Sequence, residues 1–190
     1  TIYKSSKSNK HTIAIDATGF ENHHASKHYC RTINIKFSRR KYVKLSIAID
    51  TDSQLICSHK SRVAPANDTK DFIPLLKKIK QGKIKMVCAD KGYDSKKNRF
   101  FVYKKLNAIP NIPKRKITGA NYLTKMYDER NYHQRSKSET VFSVMKKLFG
   151  SWLKSKKLKT QKLEIAYKCL AYNIRRQVIS SEMLLNGGCQ

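Results

Sequence analysis

Residues 84–95 read IKMVCADKGYDS. Six compact, mostly apolar residues follow Gly82 and run directly into Asp90, and a Lys91-Gly92-Tyr93 turn then leads to Asp94 and Ser95. That pattern is a buried strand delivering a carboxylate to its end, with a helix starting at about 95 and reaching 106. Residues 12–16, TIAID, repeat the arrangement: a β-branched run ending in Asp16. Between the two, YVKLSIAI (42–49) and the run 55–63 flank DTDS at 50–53, which predicts a β-hairpin. Asn67, Asp68 and Thr69 supply helix N-cap chemistry, with Phe72, Leu75, Leu76 and Ile79 at helical spacing and Pro74 near the first turn.

Downstream, residues 109–112 read as one more short strand, placed near a sheet edge by Pro110 and Pro113. A helix is expected from about Asn131 to Phe149, stopped by Gly150. A last helix over about 160–180 aligns Leu163, Tyr167, Leu170, Ile174 and Val178 on one stripe, read as packed core, with part of it available as a homodimer face. Residues 21–31 have neither periodicity and read as a loop. The order of strands and helices predicts an α/β fold with a mixed sheet flanked by helices. Residues 1–11 read as a polar lead-in or linker stub, 12–182 as one domain and 183–190 as a flexible tail.

The 190 residues carry 41 Lys plus Arg against 13 Asp plus Glu, a net charge of +28, while 39% are hydrophobic. A core of ordinary size can form, so disorder is excluded. No run approaches the roughly 18 apolar residues of a membrane helix. Five scattered cysteines without CxxC spacing argue against structural zinc and for reduced thiols, hence a cytoplasmic, nucleoid-associated setting. An excess of this size, spread along the chain, calls for a polyanionic partner, and nucleic acid is the one expected.

On so basic a chain the acids are informative. Asp50 and Asp52 are explained by the hairpin turn, Asp68 and Asp94 as helix caps, and Glu164 and Glu182 as surface charges. Asp16 and Asp90 sit at strand ends, where side chains converge on a crevice. On the 131–149 helix, Tyr132, Arg135, Glu139 and Lys146 fall within an arc of about 60°, since each residue turns about 100°. Val141, Val144, Met145 and Leu148 take the opposite side and are expected to face the core. A solvated face with an Arg–Glu pair would explain Arg135 and Glu139, but it leaves Tyr132 without a place.

The spacing Tyr132, Arg135, Glu139, Lys146 resembles the signature of insertion-sequence DDE transposases. IAIDATG around Asp16, ADKGYDS around Asp90 and AYNIRR at 171–176 resemble further segments of that family, in the same order. The resemblance implies an RNase H-like catalytic domain in which Asp16, Asp90 and Glu139 form a metal-binding catalytic triad. PANDT at 65–69 resembles another family segment and gives Asp68 a supporting role. Activity would be metal-dependent DNA strand cleavage followed by strand transfer, with transposon ends and target DNA as partners. Hard carboxylate ligands select Mg²⁺ or Mn²⁺, and two ions can stabilise both attacking and leaving oxygens. Arg135 and Lys146 would grip phosphates, and Tyr132 would stack on a base or orient a phosphate.

The competing reading is a non-catalytic basic nucleic-acid-binding protein, either a decayed transposon remnant or a ribosomal-type protein. It explains the charge without explaining the three acids. The chain opens on Thr1, so it is read as a fragment that lacks an end-recognition region and is inactive or unspecific by itself. His23, His24 and His28 read as a DNA-touching loop rather than a metal site. Trp152 is open to stacking on a base or to a core contact.

Overall fold

In the computed structural model, residues 10–22, 42–64, 67–79, 84–115 and 126–186 are described. Residues 1–9 of the expected lead-in, the histidine cluster, Cys30 and Cys189 lie outside them, while His11, read as part of that lead-in, already belongs to the first strand. The chain forms β1 (His11–Asn22), β2 (Tyr42–Asp50), β3 (Ile56–Val63), α1 (Thr69–Leu76) and β4 (Ile84–Ala89). There follow α2 (Lys96–Phe100), β5 (Ile109–Asn111), α3 (Glu129–Tyr132), α4 (Ser136–Phe149), β6 (Trp152–Leu153) and α5 (Leu158–Asn186). The strands lie in the order β3-β2-β1-β4-β5, with β6 added to β1. β1, β4 and β5 are parallel, while β2 pairs antiparallel with both β1 and β3. The expected mixed sheet is present, and β5 sits at its edge as its prolines predicted.

Alternation along the strands divides the core into two layers. Ile13, Ile15, Val87 and Ala89 pack against Phe72 and Leu75 of α1 and Val102 beyond α2. Ala14, Phe20, Leu45 and Ile47 pack on the other face against Met145 of α4 and Ile165 of α5. Each fully buried side chain of this kind contributes about 1.5–3 kcal/mol, so the sheet is held from both sides. Gly19 admits the Tyr42 ring, because a Cβ there would lie 2.9 Å from Tyr42 Cδ2.

Four local expectations are corrected. Asp16 does not end its strand: β1 runs on through Asn22, because β2 stays paired to it as far as Glu21. The helix predicted from 131 is divided, with a 3-10 turn over His133–Arg135 between α3 and α4. Pro74 lies inside α1, beyond its first turn, and Arg62 Nη2 donates to the carbonyl of Lys70 that the proline leaves without a partner. Asp68 makes no cap bond; Asn67 Oδ1 accepts the Thr69 N–H instead.

Asp94 also differs from its expected role. Ser95 caps α2 by accepting from the Asn98 N–H, and Asp94 is buried in a pair with Arg99. Arg99 Nε lies 2.7 Å from Asp94 Oδ1, and Arg99 Nη2 donates to the Ile112 carbonyl at 2.6 Å. The other carboxylate oxygen accepts the Arg115 N–H at 2.8 Å. This pair ties the β4–α2 connection to the segment after β5, and removing one member leaves a buried charge alone. Asp94→Ala should therefore lower the unfolding free energy in urea by about 3–5 kcal/mol, while Asp94→Leu combined with Arg99→Met should cost less than the single change.

Candidate active site

β1 is paired to β2 along one edge, but its other edge is shared by two short partners. β4 covers it up to Ile15, which pairs with Ala89, and β6 covers it again from Glu21. Among the described residues no strand pairs with 17–20 on that edge. Asp16 stands at the start of this gap. Asp90 follows Ala89 at the same level of the parallel register, so both carboxylates emerge together on one face of the sheet.

The α3–α4 segment fills the gap. Arg135 Nη1 donates to Asp16 Oδ2 at 3.0 Å, and Arg135 Nη2 donates to Glu139 Oε1 at 2.7 Å. One guanidinium thus joins an acid of the central strand to an acid of the helix. Ser138, fully buried, donates to Asp16 Oδ2 at 3.3 Å, and the Ala17 N–H donates to Asp16 Oδ1 at 2.8 Å. Two turns beyond Glu139, Lys146 Nζ donates to Thr18 Oγ1 at 2.7 Å, two residues beyond Asp16 on the same strand face. The Tyr132 ring lies 5.7 Å from the Arg135 guanidinium carbon and 5.6 Å from the Tyr127 ring, within cation–π range of the former.

The polar stripe is therefore not a solvated face. α4 buries Ser138, Val141, Phe142 and Met145, whereas Leu148 is exposed and Val144 only half-buried. Relative to expectation, the helix is rolled so that Glu139 and Lys146 border the sheet.

Burial raises the Asp16 carboxyl above its ordinary range; the Ala17 N–H, Arg135 and Ser138 oppose this, and Glu139 adds to it. Burial likewise raises the Tyr132 phenol, with Arg135 opposing and Asp90 reinforcing, so Asp90 acts on the same cluster. Of the acids behind the site, the sequence reading had Asp68 as a cap with a supporting role and passed over Asp71. A Cβ at Gly92 would lie 3.5 Å from Asp68 Oδ2 and 3.6 Å from Asp90 Oδ2, so these two carboxylates converge over the glycine. Asp68 is ion-paired with Lys44. Asp71, buried on α1, takes Lys60 at 3.1 Å and Arg62 at 2.5 Å and accepts from Ser46. Lys44 and Asp71 had only the alternation of β2 and the period of α1 to mark them. Neither pattern distinguishes a buried ion pair from an exposed charge.

The donor set suits a hard cation: Asp16, Glu139 and Asp90 offer carboxylate oxygens, and two of them already converge on a positive group. They are not drawn tightly together here. Among the described residues the one His/Cys/Asp/Glu group whose ligand atoms all lie within 4.8 Å of one another is His11, Asp50 and Asp52. That group lies five residues from Asp16 along β1, about 16 Å away. Its His11 Nδ1 is 3.3 Å from Asp50 Oδ1, and Asp50 Oδ2 accepts from the N–H and hydroxyl of Ser53, as a turn-capping Asp does.

A carboxyl whose folded pKa is raised holds its proton more tightly in the fold than in the open chain. Its contribution to stability is present at low pH and lost as pH rises through the folded value. Asp16→Asn removes that loss. Without divalent cations, the melting temperature of Asp16→Asn should gain on that of the unsubstituted chain as pH rises from about 4 to about 7; a gap that stays constant would contradict this account.

Comparison with known proteins gives a family and a fold. The family model described as the transposase DDE domain matches residues 7–174. No curated protein matches the sequence. Among solved structures, the piggyBac transposase in its synaptic complex with hairpin DNA superposes with a TM-score of 0.62 at 10% identity, over 96% of this chain and 49% of that one. The chain thus spans about half the length of that transposase. The catalytic core domain of BIV integrase matches 86% of this chain and 83% of its own at 11% identity, with a TM-score of 0.44. The strand order, with helices on both faces, is RNase H-like. With its matched region spanning nearly all of the domain, the chain belongs to the transposase DDE domain family.

Proposed function

We propose that this chain is the catalytic domain of a DNA transposase that cuts a strand at an element end and joins it to target DNA. The observation that carries the reading is the Arg135 guanidinium bound at once to Asp16 and Glu139, beside the level at which Asp90 leaves β4. The Arg135–Asp16 bond joins positions 119 apart in the chain, and the Arg135–Glu139 bond adds the helix acid, which supports this reading.

In the proposed cleavage a water oxygen bonds to phosphorus as the bond to the 3′ oxygen breaks, and that oxygen leaves with a proton as a 3′-OH. In strand transfer the 3′ oxygen bonds to a target phosphorus while a target P–O bond breaks, so the number of phosphodiesters is unchanged. Asp16, Asp90 and Glu139 would hold Mg²⁺ or Mn²⁺, which supplies stabilisation of charge on the attacking and leaving oxygens when bound. Arg135 has the planar fork to grip a phosphate bidentately, and Lys146 presents a point charge from the same helix. Tyr132, stacked beside Arg135, offers a ring to a displaced base. Glu139, exposed, and Arg135, part-buried, are both within reach of incoming DNA. The net charge of +28 supports a DNA partner and a nucleoid setting.

Binding without catalysis is the second reading, favoured by the looseness of the three acids relative to His11, Asp50 and Asp52. The two separate on plasmid DNA carrying the sequences that flank the reading frame. With Mn²⁺ or Mg²⁺ the chain should release 3′-OH ends and joined products. Asp90→Asn and Glu139→Gln should each lower that rate about a hundredfold or more, with DNA retention on a filter unchanged. DNA binding with no metal-dependent product would leave the binding reading standing. Arg135→Ala and Lys146→Ala should weaken DNA retention and flatten its salt dependence by about one counterion each.

A further inference from the structure

α1 covers its face of the sheet only as far as Lys44, which meets Asp68 at the start of the helix. The next residue outward on β1 that points to this face is Glu21. It is level with Tyr42 of β2 on one side and with Trp152 of β6 on the other. Residues level with one another in neighbouring strands project from the same face, so these three form a row across the sheet. Phe20, Val43 and Leu153, beside them in the chain, are buried on the opposite face. A sheet face turned to solvent normally carries polar residues. Here Tyr42 is 40% and Trp152 47% exposed. Each ring is seated on a glycine. Gly19 takes the Cδ2 edge of Tyr42, and a Cβ at Gly150, where φ is +77°, would lie 3.7–3.8 Å from Cε2, Cδ2 and Cε3 of Trp152. A point almost equally far from three atoms of one six-membered ring lies over the face of that ring. The indole therefore rests flat against the glycine. The backbone beside it is held as well: the Ser151 carbonyl accepts the Glu21 N–H at 3.0 Å, and the Trp152 carbonyl accepts from Lys168 Nζ at 2.9 Å.

We infer that Tyr42 and Trp152 form a stacking platform for unpaired bases of single-stranded DNA. The inference rests on the DNA partner proposed above but not on cleavage. Charge selects the occupant. Between Glu21 and Asp50 the chain carries seven Lys and Arg and no acid, and between Glu139 and Glu164 seven Lys and no acid. Tyr42 belongs to the first of these segments and Trp152 to the second. A second copy of a chain with net charge +28 is repelled by them, whereas a phosphate backbone is attracted. The rings select the state of the DNA. A base inside a duplex has both faces covered by its stacked neighbours, so a ring presented by a sheet takes bases that are unpaired. Glu21, between the two rings, sets the orientation: it repels a phosphate and can accept from a base amino group. Bases accordingly turn toward the sheet, and the backbone runs over Lys154, Lys156 and Lys157, all exposed after Trp152. The platform is separate from the acids, since Glu21 lies five residues from Asp16 along β1, about 16 Å away, and on the face opposite α4.

Trp152 is the one tryptophan of the chain, so indole fluorescence reports on the platform directly. The test uses the full chain in EDTA, which keeps metal-dependent cleavage off. A single-stranded oligonucleotide of mixed sequence should quench most of the emission. A duplex of the same sequence should bind and leave it nearly unchanged, as should polyphosphate, which offers the charge without the bases. Trp152→Ala should weaken filter retention of the single strand about fivefold or more, with duplex retention and the circular dichroism spectrum unchanged. Trp152→Phe, which keeps a ring, should recover most of that loss, and Tyr42→Ala should weaken the single strand selectively as well. A single strand retained on the filter with unaltered emission would overturn the inference, as would polyphosphate quenching as strongly as DNA. Should a substituted chain fail to fold, the emission of the unsubstituted chain decides. Metal-dependent products without quenching would remove the platform and leave cleavage standing, and quenching without products would do the reverse.

Discussion

The site depends on an interruption of hydrogen bonding. β1 keeps β2 along one edge for most of its length, while the opposite edge loses β4 after Ile15 and regains a partner, β6, only at Glu21. A strand edge left open inside a protein must be closed by something. Here α4 closes it with side chains: Arg135 and Ser138 at Asp16, and Lys146 at Thr18. Those bonds fix the helix in rotation as well as position. Glu139 is at the border of the sheet because Arg135, one turn before it, and Lys146, two turns after it, are tied to β1. Had β4 run two residues farther, Asp90 would have been absorbed into a ladder and Asp16 covered.

The electrostatics follow from the same gap. Burying a carboxylate such as Asp16 is costly unless charge or hydrogen bonds compensate. Arg135 compensates in part, and the raised pKa of Asp16 shows that burial still prevails. A cation at this place is therefore favoured by the fold itself, whichever group supplies it. The acids behind the site are treated differently: Asp71 with Lys60 and Arg62, and Asp68 with Lys44, have settled partners on β2 and β3. Lys44, Lys60 and Arg62, three of the few cations on the strands, neutralise the inner acids while the outer ones stay available.

The sequence made the strands, the hairpin and the pairing of acids with strand boundaries legible, because apolar runs and turn residues are local signals. The meeting of Tyr132, Arg135 and Glu139 was legible as well, since helical spacing places them on one side. What stayed hidden depends on partners distant in the chain. Asp16 reads as a strand end, for only β2 shows that β1 continues beyond it. Asp94 reads as a cap, for only Arg99 and the segment after β5 make it a buried ion. The α5 stripe reads as core, since apolar residues at helical spacing normally are, yet Leu163, Tyr167, Leu170, Ile174 and Val178 are all exposed. Gln161 and Lys168 could take the buried side only because backbone carbonyls between α4 and α5 waited for them.

Phe20 joins these two helices to the strand. It is fully buried at the far end of the gap, with Lys146 Nζ of α4 5.8 Å from its ring and Lys168 Nζ of α5 5.2 Å from it. Both ammonium groups are anchored elsewhere, one on Thr18 and the other on Trp152 O and Glu164. Glu164 in turn accepts the N–H groups of Lys154 and Ser155; burial would raise its carboxyl, but these bonds and Lys168 hold it below its ordinary value. Position therefore passes from β1 through one ring to the helix that carries Glu139 and to the helix that carries the outer stripe. A shift of α5 cannot be taken up locally, because Lys168 would have to abandon the ring, the β6 carbonyl and Glu164 together. The outward stripe and the acidic gap are parts of one rigid arrangement with Phe20 at its centre.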